Sequence, residues 1–464
     1  MRRLIVSLMI CLLLTACNFP ARQEPASTVQ EINLATTPVA TETSPFAPML
    51  TATPTLAPVK TEEPLVFPTP GILPGIRYDP LAEGESIHIT ALQMLDMQTG
   101  WAALDASAPD ESGHLLRTED GGSTWQQITP PSGFPQMSIF FALDQQQAWA
   151  APTILLAGQS VSAGTIWRTT DGGLTWQPSA AINLAYQEQE LVESFVPQAL
   201  FFLDAQQGWL VVSVGHFMNQ DVLEIFGTFD GGLTWQRLAD KASMGQGEGQ
   251  DGGAGMPCHV SGIAFNDSQH GFLAGDCLAV SVDDGFSILV SSNGGRSWQK
   301  QTLPEPADLP QAVTAAAAAG QRFCASTGIE QTPAGLLVQH TCQVLEGSGM
   351  LRNYPFLSLS PDGGQTWLGW QGENASFVNT AEGYSLGAIG QNGTRQVSVT
   401  ADGGKTWRSA GTVTWPEAWL QFFIPGQGFA LARSWNEQNS AYDYALVRTE
   451  NGGQSWALVK GVVK

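Results

Sequence analysis

The sequence predicts an all-β fold, a seven-bladed β-propeller of four-stranded antiparallel blades, preceded by a signal segment and a disordered stalk rich in proline and threonine. Three observations predict it. A turn motif, Asp/Asn-Gly-Gly-x-Thr/Ser-Trp, occurs seven times beyond residue 85. Its copies begin 40 to 69 residues apart, and most follow a second pattern in which Gly or Ala precedes an aromatic residue. Units of this length with four strands each are typical of propellers.

The chain begins with the pattern of an export signal. Two arginines precede an apolar run, residues 4–14, which ends in Leu-Thr-Ala-Cys with the cysteine at Cys17. This run of eleven residues is shorter than the roughly 20 that a transmembrane helix needs, which disfavours a plain membrane anchor. The last four residues resemble the lipobox of bacterial lipoproteins. The resemblance implies a signal peptide at 1–16, a lipidated Cys17 and a place on the extracytoplasmic side of the bacterial cell membrane.

A linker, residues 17–84, separates this anchor from the propeller, residues 85–464. Residues 18–80 hold 12 of the 28 prolines but only two of the 50 glycines. Proline restricts φ and removes hydrogen-bond donors, so this segment cannot build a core and is predicted to be an extended stalk.

The seven motif copies are predicted to be structural turns. Asp or Asn at a turn start accepts backbone hydrogen bonds, and paired glycines relax the limits on φ. The tryptophan is predicted to begin the outermost strand and to wedge between blades. The copies open at Asp120, Asp171, Asp230, Asn293, Asp362, Asp402 and Asn451, and close at Trp125, Trp176, Trp235, Trp298, Trp367, Trp407 and Trp456.

The second pattern marks an earlier hairpin in each unit except the fifth. It occurs at Gly100-Trp101, Ala148-Trp149, Gly208-Trp209, Gly271-Phe272, Gly383-Tyr384 and Gly428-Phe429. In the third unit the pattern predicts strands at 199–203, 209–214, 224–228 and 233–238.

These repeats resemble the Asp-box, also called the bacterial neuraminidase repeat. Over roughly residues 85–464 the longer pattern is similar to the photosystem II stability and assembly factor family of seven-bladed propellers. The resemblance implies an assembly role in photosynthesis that uses an arginine-rich patch. The only recurring arginines here are Arg117, Arg168 and Arg448, at one strand position beside the box.

Four cysteines remain beyond the anchor, and they allow three pairings. The predicted hairpins of the fourth and fifth units place Cys258 opposite Cys277 and Cys324 opposite Cys342. Facing residues of antiparallel strands are within disulfide reach, and disulfides persist outside the cytoplasm. We therefore expect both bridges, with buried free thiols as the alternative.

Charge excludes some function classes. The chain has 20 basic and 42 acidic residues and a net charge of -22. Without a basic run it is a poor binder of nucleic acid. The sequence also has no phosphate-binding loop and no metal-ligand motif, so neither a cofactor nor a metal is predicted.

The leading hypothesis is a monomeric, non-catalytic scaffold that binds an unknown protein or extracellular polymer. The box turns should all lie on one face, and the insertions 105–113, 151–164, 215–221, 237–257 and 329–352 on the other. Binding usually uses such loops. Residues 244–255 contain six glycines and two acids, and their binding candidates are Met244, Gln246, Glu248 and Asp251.

Two alternatives remain open. A sialidase-like glycoside hydrolase would need an arginine triad and a Tyr nucleophile with a Glu partner; conceivable members are Arg322, Arg352, Arg395 and Arg433 with Tyr354 or Tyr384. A glycan-binding or other polymer-binding propeller would instead use exposed tryptophans, for which the candidates are Trp370, Trp415, Trp419 and Trp435.

The lipobox gives the first testable prediction. Replacing Cys17 with serine removes the acylation site, so the Cys17→Ser chain should leave the membrane fraction after signal cleavage. Fractionation with detection of the mature N-terminus measures this. A cleaved serine variant that remained on the membrane would contradict the anchor.

Overall fold

The computed structural model describes residues 79–464 except 105–111, 155–160, 162, 186–193, 218–219, 241–258, 277–284, 346–350, 391 and 439–440. The predicted signal peptide, Cys17 and residues 18–78 of the stalk lie outside the described residues.

Seven four-stranded antiparallel sheets follow one another along the chain, as predicted. Blade 1 contains β1 (Ala91–Met94), β2 (Gly100–Leu104), β3 (His114–Thr118) and β4 (Thr124–Gln127). Blade 2 contains β5 (Ile139–Ala142), β6 (Ala148–Ala151), β8 (Trp167–Thr169) and β9 (Gln177–Pro178), with the short pair β7 (Ala163–Gly164) and β10 (Ile182–Asn183) beside it. Blade 3 contains β11 (Val196–Phe202), β12 (Gly208–Phe217), β13 (Gln220–Thr228) and β14 (Gln236–Asp240).

The second half of the ring repeats this order. Blade 4 contains β15 (His259–Phe265), β16 (Gly271–Asp276), β17 (Ser287–Ser291) and β18 (Gln299–Thr302). Helix α1 (Gln311–Ala318) leads to blade 5, which contains β19 (Arg322–Thr332), β20 (Gly335–Leu345), β21 (Leu351–Ser360) and β22 (Leu368–Gln371). Blade 6 contains β23 (Asn374–Phe377), β24 (Gly383–Leu386), β25 (Arg395–Thr400) and β26 (Arg408–Val413). Blade 7 contains β27 (Glu417–Ile424), β28 (Gln427–Asn436), β29 (Ala441–Thr449) and β30 (Ala457–Leu458).

The first strand of each blade is the innermost, since first strands of neighbouring blades contact one another. Amide side chains join these strands. Gln93 of β1 donates to the Ala142 carbonyl of β5 at 2.7 Å and accepts from the Ala142 N–H at 2.9 Å. Gln421 of β27 donates to the Leu92 carbonyl at 2.8 Å and accepts from the Met94 N–H at 2.8 Å. The second pair links blade 7 to blade 1.

A recurring aromatic stack joins the blades further out. The second-strand aromatic of one blade lies flat on a phenylalanine that ends the first strand of the next blade. The ring centroids are 3.5 to 3.7 Å apart for Trp149 on Phe202, Trp209 on Phe265 and Tyr384 on Phe422. The box tryptophan of that next blade meets the same phenylalanine edge-on, as in Trp235 on Phe202, Trp298 on Phe265 and Trp456 on Phe422.

The glycine before the second-strand aromatic makes room for this stack. A Cβ on Gly208 would lie 2.6 Å from the Phe202 ring, and one on Gly271 would lie 2.4 Å from the Phe265 ring. Both distances are shorter than a Cβ contact allows. The Gly-aromatic pattern therefore has a steric origin.

Residues 84–85 and the C-terminal strand close the ring beside blade 1. Strand β31 (Val462–Val463) pairs in parallel with β4. On its other side, the Gly84 N–H donates to the Val463 carbonyl and the Val463 N–H donates to the Glu85 carbonyl, both at 2.9 Å. The C-terminal strand thus lies between β4 and the segment that precedes β1.

The structure corrects several expected boundaries. In blade 3 the outer strand begins at Gln236 rather than at residue 233, because the box turn continues through Trp235. Residues 329–352 are not an insertion loop: apart from the undescribed 346–350 they belong almost entirely to long strands joined by a tight turn between Thr332 and Gly335. Helix α1 was not predicted.

One predicted disulfide is confirmed. Cys324 and Cys342 face each other on β19 and β20, and their sulfur atoms are bonded. Cys258 and Cys277 lie outside the described residues. In the described part of that hairpin, His259 lies opposite Asp276, which is the strand register assumed for the Cys258–Cys277 bridge. The bridge itself stays a prediction.

The stack predicts the effect of a single methyl group. Gly208→Ala should lower the free energy of unfolding by about 1 to 3 kcal/mol, because the Phe202 ring must move off its partner. Gly387→Ala is the matched control, since its Cβ would have no neighbour nearer than 3.4 Å. Urea unfolding measures both. Equal stability of the two variants would show that the stack tolerates a side chain there.

Candidate functional site

The box turns bind their own backbone. In the first box, Oδ1 of Asp120 accepts from the Thr124 N–H at 2.8 Å and from the Thr118 hydroxyl at 2.9 Å, while Oδ2 accepts from the Thr124 hydroxyl at 2.7 Å. Boxes 2, 3, 5 and 6 repeat the bonds from the box hydroxyl and its N–H. Asn293 and Asn451 instead donate their amide to the serine hydroxyl.

These bonds stabilise the ionised carboxylates. Hydrogen bonds from the Thr366 and Thr406 hydroxyls lower the pKa of Asp362 and of Asp402 to about 2. Both glycines that follow Asp362 have positive φ, of 73° and 94°, which an L side chain rarely adopts. The carboxylates are therefore part of the turn, which supports the structural interpretation of the box.

The recurring arginines lie between blades and do not form a patch. Arg168 of β8 donates to the Asp230 carbonyl in the next blade's box at 3.5 Å. Arg117 pairs with Glu119 at 2.8 Å and Arg448 with Glu450 at 3.1 Å. Their charges are used locally, unlike an arginine patch for a partner.

Two of the four sialidase-type arginines form ion pairs in neighbouring blades. Arg395 of blade 6 pairs with Glu373, and Arg433 of blade 7 pairs with Glu417. Burial raises the pKa of Glu373, although the charges of Arg395 and Arg433 oppose that shift. Arg322 pairs elsewhere, with Glu305 in the connection before blade 5 at 2.7 Å.

Neither tyrosine is placed as a nucleophile beside these arginines. Tyr384 begins β24 at the end of the blade where the boxes lie, whereas Arg395 begins β25 at the opposite end. The Tyr384 hydroxyl donates to Glu382 at 2.6 Å and accepts from the Gly426 N–H at 2.7 Å. Burial raises the pKa of Tyr384 to about 12. Tyr354 is buried on β21 with Arg352 over its ring.

The two ends of the propeller differ in chemistry. We call the end formed by the box turns the box face, and the end formed by the connections between second and third strands and between blades the insertion face. The insertion face carries most of the large apolar side chains that the described residues expose: Met137, Leu345, Leu351, Ile389, Trp419, Trp435 and Tyr442.

The tryptophans considered for polymer binding separate into two groups. Trp370 is buried between blades 5 and 6, where it contacts Phe377 and Trp407. Trp415 packs against Trp456 at 5.1 Å. Trp419 and Trp435 are exposed on the insertion face of blade 7. The sequence could not separate these groups, because all four tryptophans lie near strand ends.

The other predicted binding residues are not described. Met244, Gln246, Glu248 and Asp251 lie outside the described residues, so the glycine-rich segment remains a prediction. Within the described ranges, no group of three His, Cys, Asp or Glu side chains is placed to hold a metal ion. In the same ranges no helix is long and apolar enough to cross a bilayer.

Comparison with known proteins shows similarity at the level of the fold. A family model, the DUF6242 β-propeller domain, matches residues 102–252. The GH74 xyloglucanase from Xanthomonas campestris is similar with 11% identity and a TM-score of 0.46, over 82% of this chain and 55% of that one. The polysaccharide lyase Uly1 has 10% identity and a TM-score of 0.47, over 78% and 90%.

A third similar structure is the β-propeller domain of the Trilobed protease from Pyrococcus furiosus, with 7% identity and a TM-score of 0.40 over 81% of this chain and 98% of that one. The chain spans 55 to 62% of the length of the three GH74 structures it matches. No curated protein matches the sequence.

Blade 5 contains a buried histidine that sequence analysis did not identify. His340 of β20 lies opposite Ser326 and Phe356 and packs edge-on against the Phe286 ring at 5.2 Å. Among the described residues neither ring nitrogen has a hydrogen-bond partner. Burial lowers the pKa of His340 to about 3.

His340 should contribute a stability difference that depends on pH in mild acid. An unfolded histidine takes up a proton near pH 6.5, whereas the folded one does not until about pH 3. Its contribution to stability is therefore complete above pH 6.5 and is lost as the pH falls towards 3, by up to about 1.4 kcal/mol per pH unit.

We expect His340→Leu to lose less stability than the wild-type chain between pH 7 and pH 5, measured by urea unfolding. The box carboxylates lie outside this window, because their pKa values are lowered below 3.8. The same pH dependence in both chains would show that His340 is not the responsible group.

Proposed function

We propose that this chain is a non-catalytic binding scaffold, attached to the extracytoplasmic side of a bacterial membrane through Cys17, that presents its insertion face to a protein or polymer. The role is similar to that of photosystem II assembly factor propellers. We take from that resemblance the assembly role and not the photosynthetic partner, because Arg117, Arg168 and Arg448 interact with neighbouring groups of the propeller itself.

The contrast between the two faces carries this proposal. On the box face, acceptors such as Asp230 bind the hydroxyls and N–H groups of their own turns. On the insertion face, seven large apolar side chains are exposed on a rigid ring. Exposed apolar groups on a rigid scaffold are typical of binding surfaces.

The chemistry of the candidate catalytic groups favours binding over hydrolysis. A tyrosine nucleophile needs an accessible phenolate, but Tyr384 is stacked on Phe422 and its pKa is raised to about 12. An arginine triad needs guanidinium groups aimed at one substrate carboxylate. Arg395 and Arg322 are buried against glutamates in different blades.

The net charge of -22 restricts the partner further. An acidic chain repels acidic polymers at long range and attracts neutral or basic partners. Screening by salt should weaken binding to a basic partner.

Crosslinking in the native membrane tests the face assignment with a matched pair of surface variants. Ile389 on the insertion face is 49% exposed, and Leu174 on the box face is 68% exposed. We expect Ile389→Arg, and replacement of residues 244–255 by a short Gly-Ser turn, to reduce partner capture. Leu174→Arg should leave it unchanged.

Thermal unfolding of each variant separates lost contacts from lost folding. If Leu174→Arg abolished capture and Ile389→Arg did not, the box face would be the binding surface. Full capture by a stably folded loop replacement would remove residues 244–255 from the interface.

A further inference from the structure

Blade 7 presents a row of aromatic rings at its insertion end. Trp419, Trp435 and Tyr442 are 37%, 52% and 39% exposed, although each has a large apolar ring. Arg433 lies among them. We call these four residues the blade 7 aromatic surface.

The rings lie at the insertion end of two long strands. Strands β28 and β29 of blade 7 have 10 and 9 residues. The parts of these strands nearer the box face, including Phe429 and Leu446, pack against Leu116 and Trp125 of blade 1. Trp435 and Tyr442 face each other nearer the insertion face, beyond that contact.

The arginine holds the rings in place. Its guanidinium carbon lies 4.9 Å from the centroid of the Trp419 ring and 4.3 Å from that of Tyr442, and it forms an ion pair with Glu417. Tyr442 in turn meets Trp435 edge-on at 5.2 Å. A surface fixed in this way loses little side-chain entropy when a ligand binds.

The charges of this surface disfavour ionic ligands. Arg433 already occupies the cation-binding positions over Trp419 and Tyr442, so a cationic peptide would have to displace it. An anion would compete with Glu417 for Arg433 and would also meet the net charge of -22.

A neutral polyhydroxylated ligand fits both features. The C–H face of a sugar ring packs on an aromatic face, and its hydroxyls both donate and accept hydrogen bonds. Glu417 and Asp443 can accept such bonds, and Arg433 and Asn436 can donate them. We propose that the blade 7 aromatic surface binds a neutral oligosaccharide chain, an inference that rests on the proposed binding function and specifies one ligand of the insertion face.

The register indicates a chain rather than a single sugar. Trp419 of β27 lies opposite Leu431 of β28. Leu431 is four residues before Trp435 along β28. Four residues of strand span roughly 13 Å, which is longer than one pyranose ring. Several sugars in sequence are needed to reach from Trp419 to Trp435.

Affinity electrophoresis of the purified full chain in detergent tests the proposal. The gels contain soluble neutral polysaccharides (β-1,3-glucan, β-1,4-glucan, xylan, mannan or galactan) or acidic ones (alginate, polygalacturonate). We expect one or more neutral polymers to retard the chain. Trp419→Ala and Trp435→Ala should each weaken this binding about tenfold, the factor that corresponds to 1.4 kcal/mol.

A control variant and a folding measurement accompany these. Leu174→Ala changes an exposed apolar side chain on the box face, so this variant should be retarded like the wild type. The melting temperature of each variant identifies any loss of folding, and the highly exposed Trp435 is the variant least prone to it.

Several outcomes would overturn the proposal: no retardation by any neutral polymer, unchanged retardation of a folded Trp435→Ala chain, or ring-dependent binding of an acidic polymer or a peptide instead. The proposed scaffold function has a separate readout, since partner capture in the membrane depends on Ile389. Loss of glycan binding with retained capture would reject the ligand and keep the scaffold.

Discussion

The flat contact between an aromatic side chain of one blade and a phenylalanine of the next is the interaction that links the two repeated sequence patterns, and it joins blade 2 to 3, 3 to 4 and 6 to 7. It requires a glycine under the phenylalanine, because a Cβ on Gly208 or Gly271 would enter the space of the ring. The phenylalanine also has a second aromatic neighbour, because the box tryptophan of its own blade packs edge-on against it. The box hydrogen bonds hold the turn from which that tryptophan extends. The two repeated sequence patterns are thus two parts of one contact between blades.

Blade 5 shows how a junction between blades is filled where this contact is missing. Its second strand begins with Gly335 and Leu336, so the aromatic of the pattern is missing. Trp370 of the outer strand fills the space against Phe377 and Trp407 of blade 6. The Cys324–Cys342 bridge joins the two inner strands of the same blade, and α1 packs against them. A chain crosslink of this kind stabilises mainly by restricting the unfolded state.

The two faces differ in how regularly their hydrogen-bond acceptors are occupied. Each box carboxylate accepts hydrogen bonds from its own turn, which lowers its pKa and leaves little acceptor capacity for a partner. The insertion face is formed by connections that vary in length and sequence from blade to blade. At the insertion end of the long blade 7 hairpin, Trp435 and Tyr442 are exposed. The side chains available for binding on this face therefore differ from blade to blade, whereas the box turns are nearly identical.

The sequence by itself determined the fold, because turn motifs and glycine positions are local and recur seven times. It also determined the Cys324–Cys342 pairing, since hairpin register follows from the position of one turn. It could not determine which tryptophans are exposed: Trp370 is buried against Phe377 and Trp407 of the next blade, whereas Trp435 is exposed, and this difference depends on packing between blades. Nor could it determine that Arg395 and Arg433 pair with Glu373 and Glu417, or that Arg322 pairs with Glu305. Each of these pairs joins residues of different strands or connections, and its geometry exists only once the chain has folded.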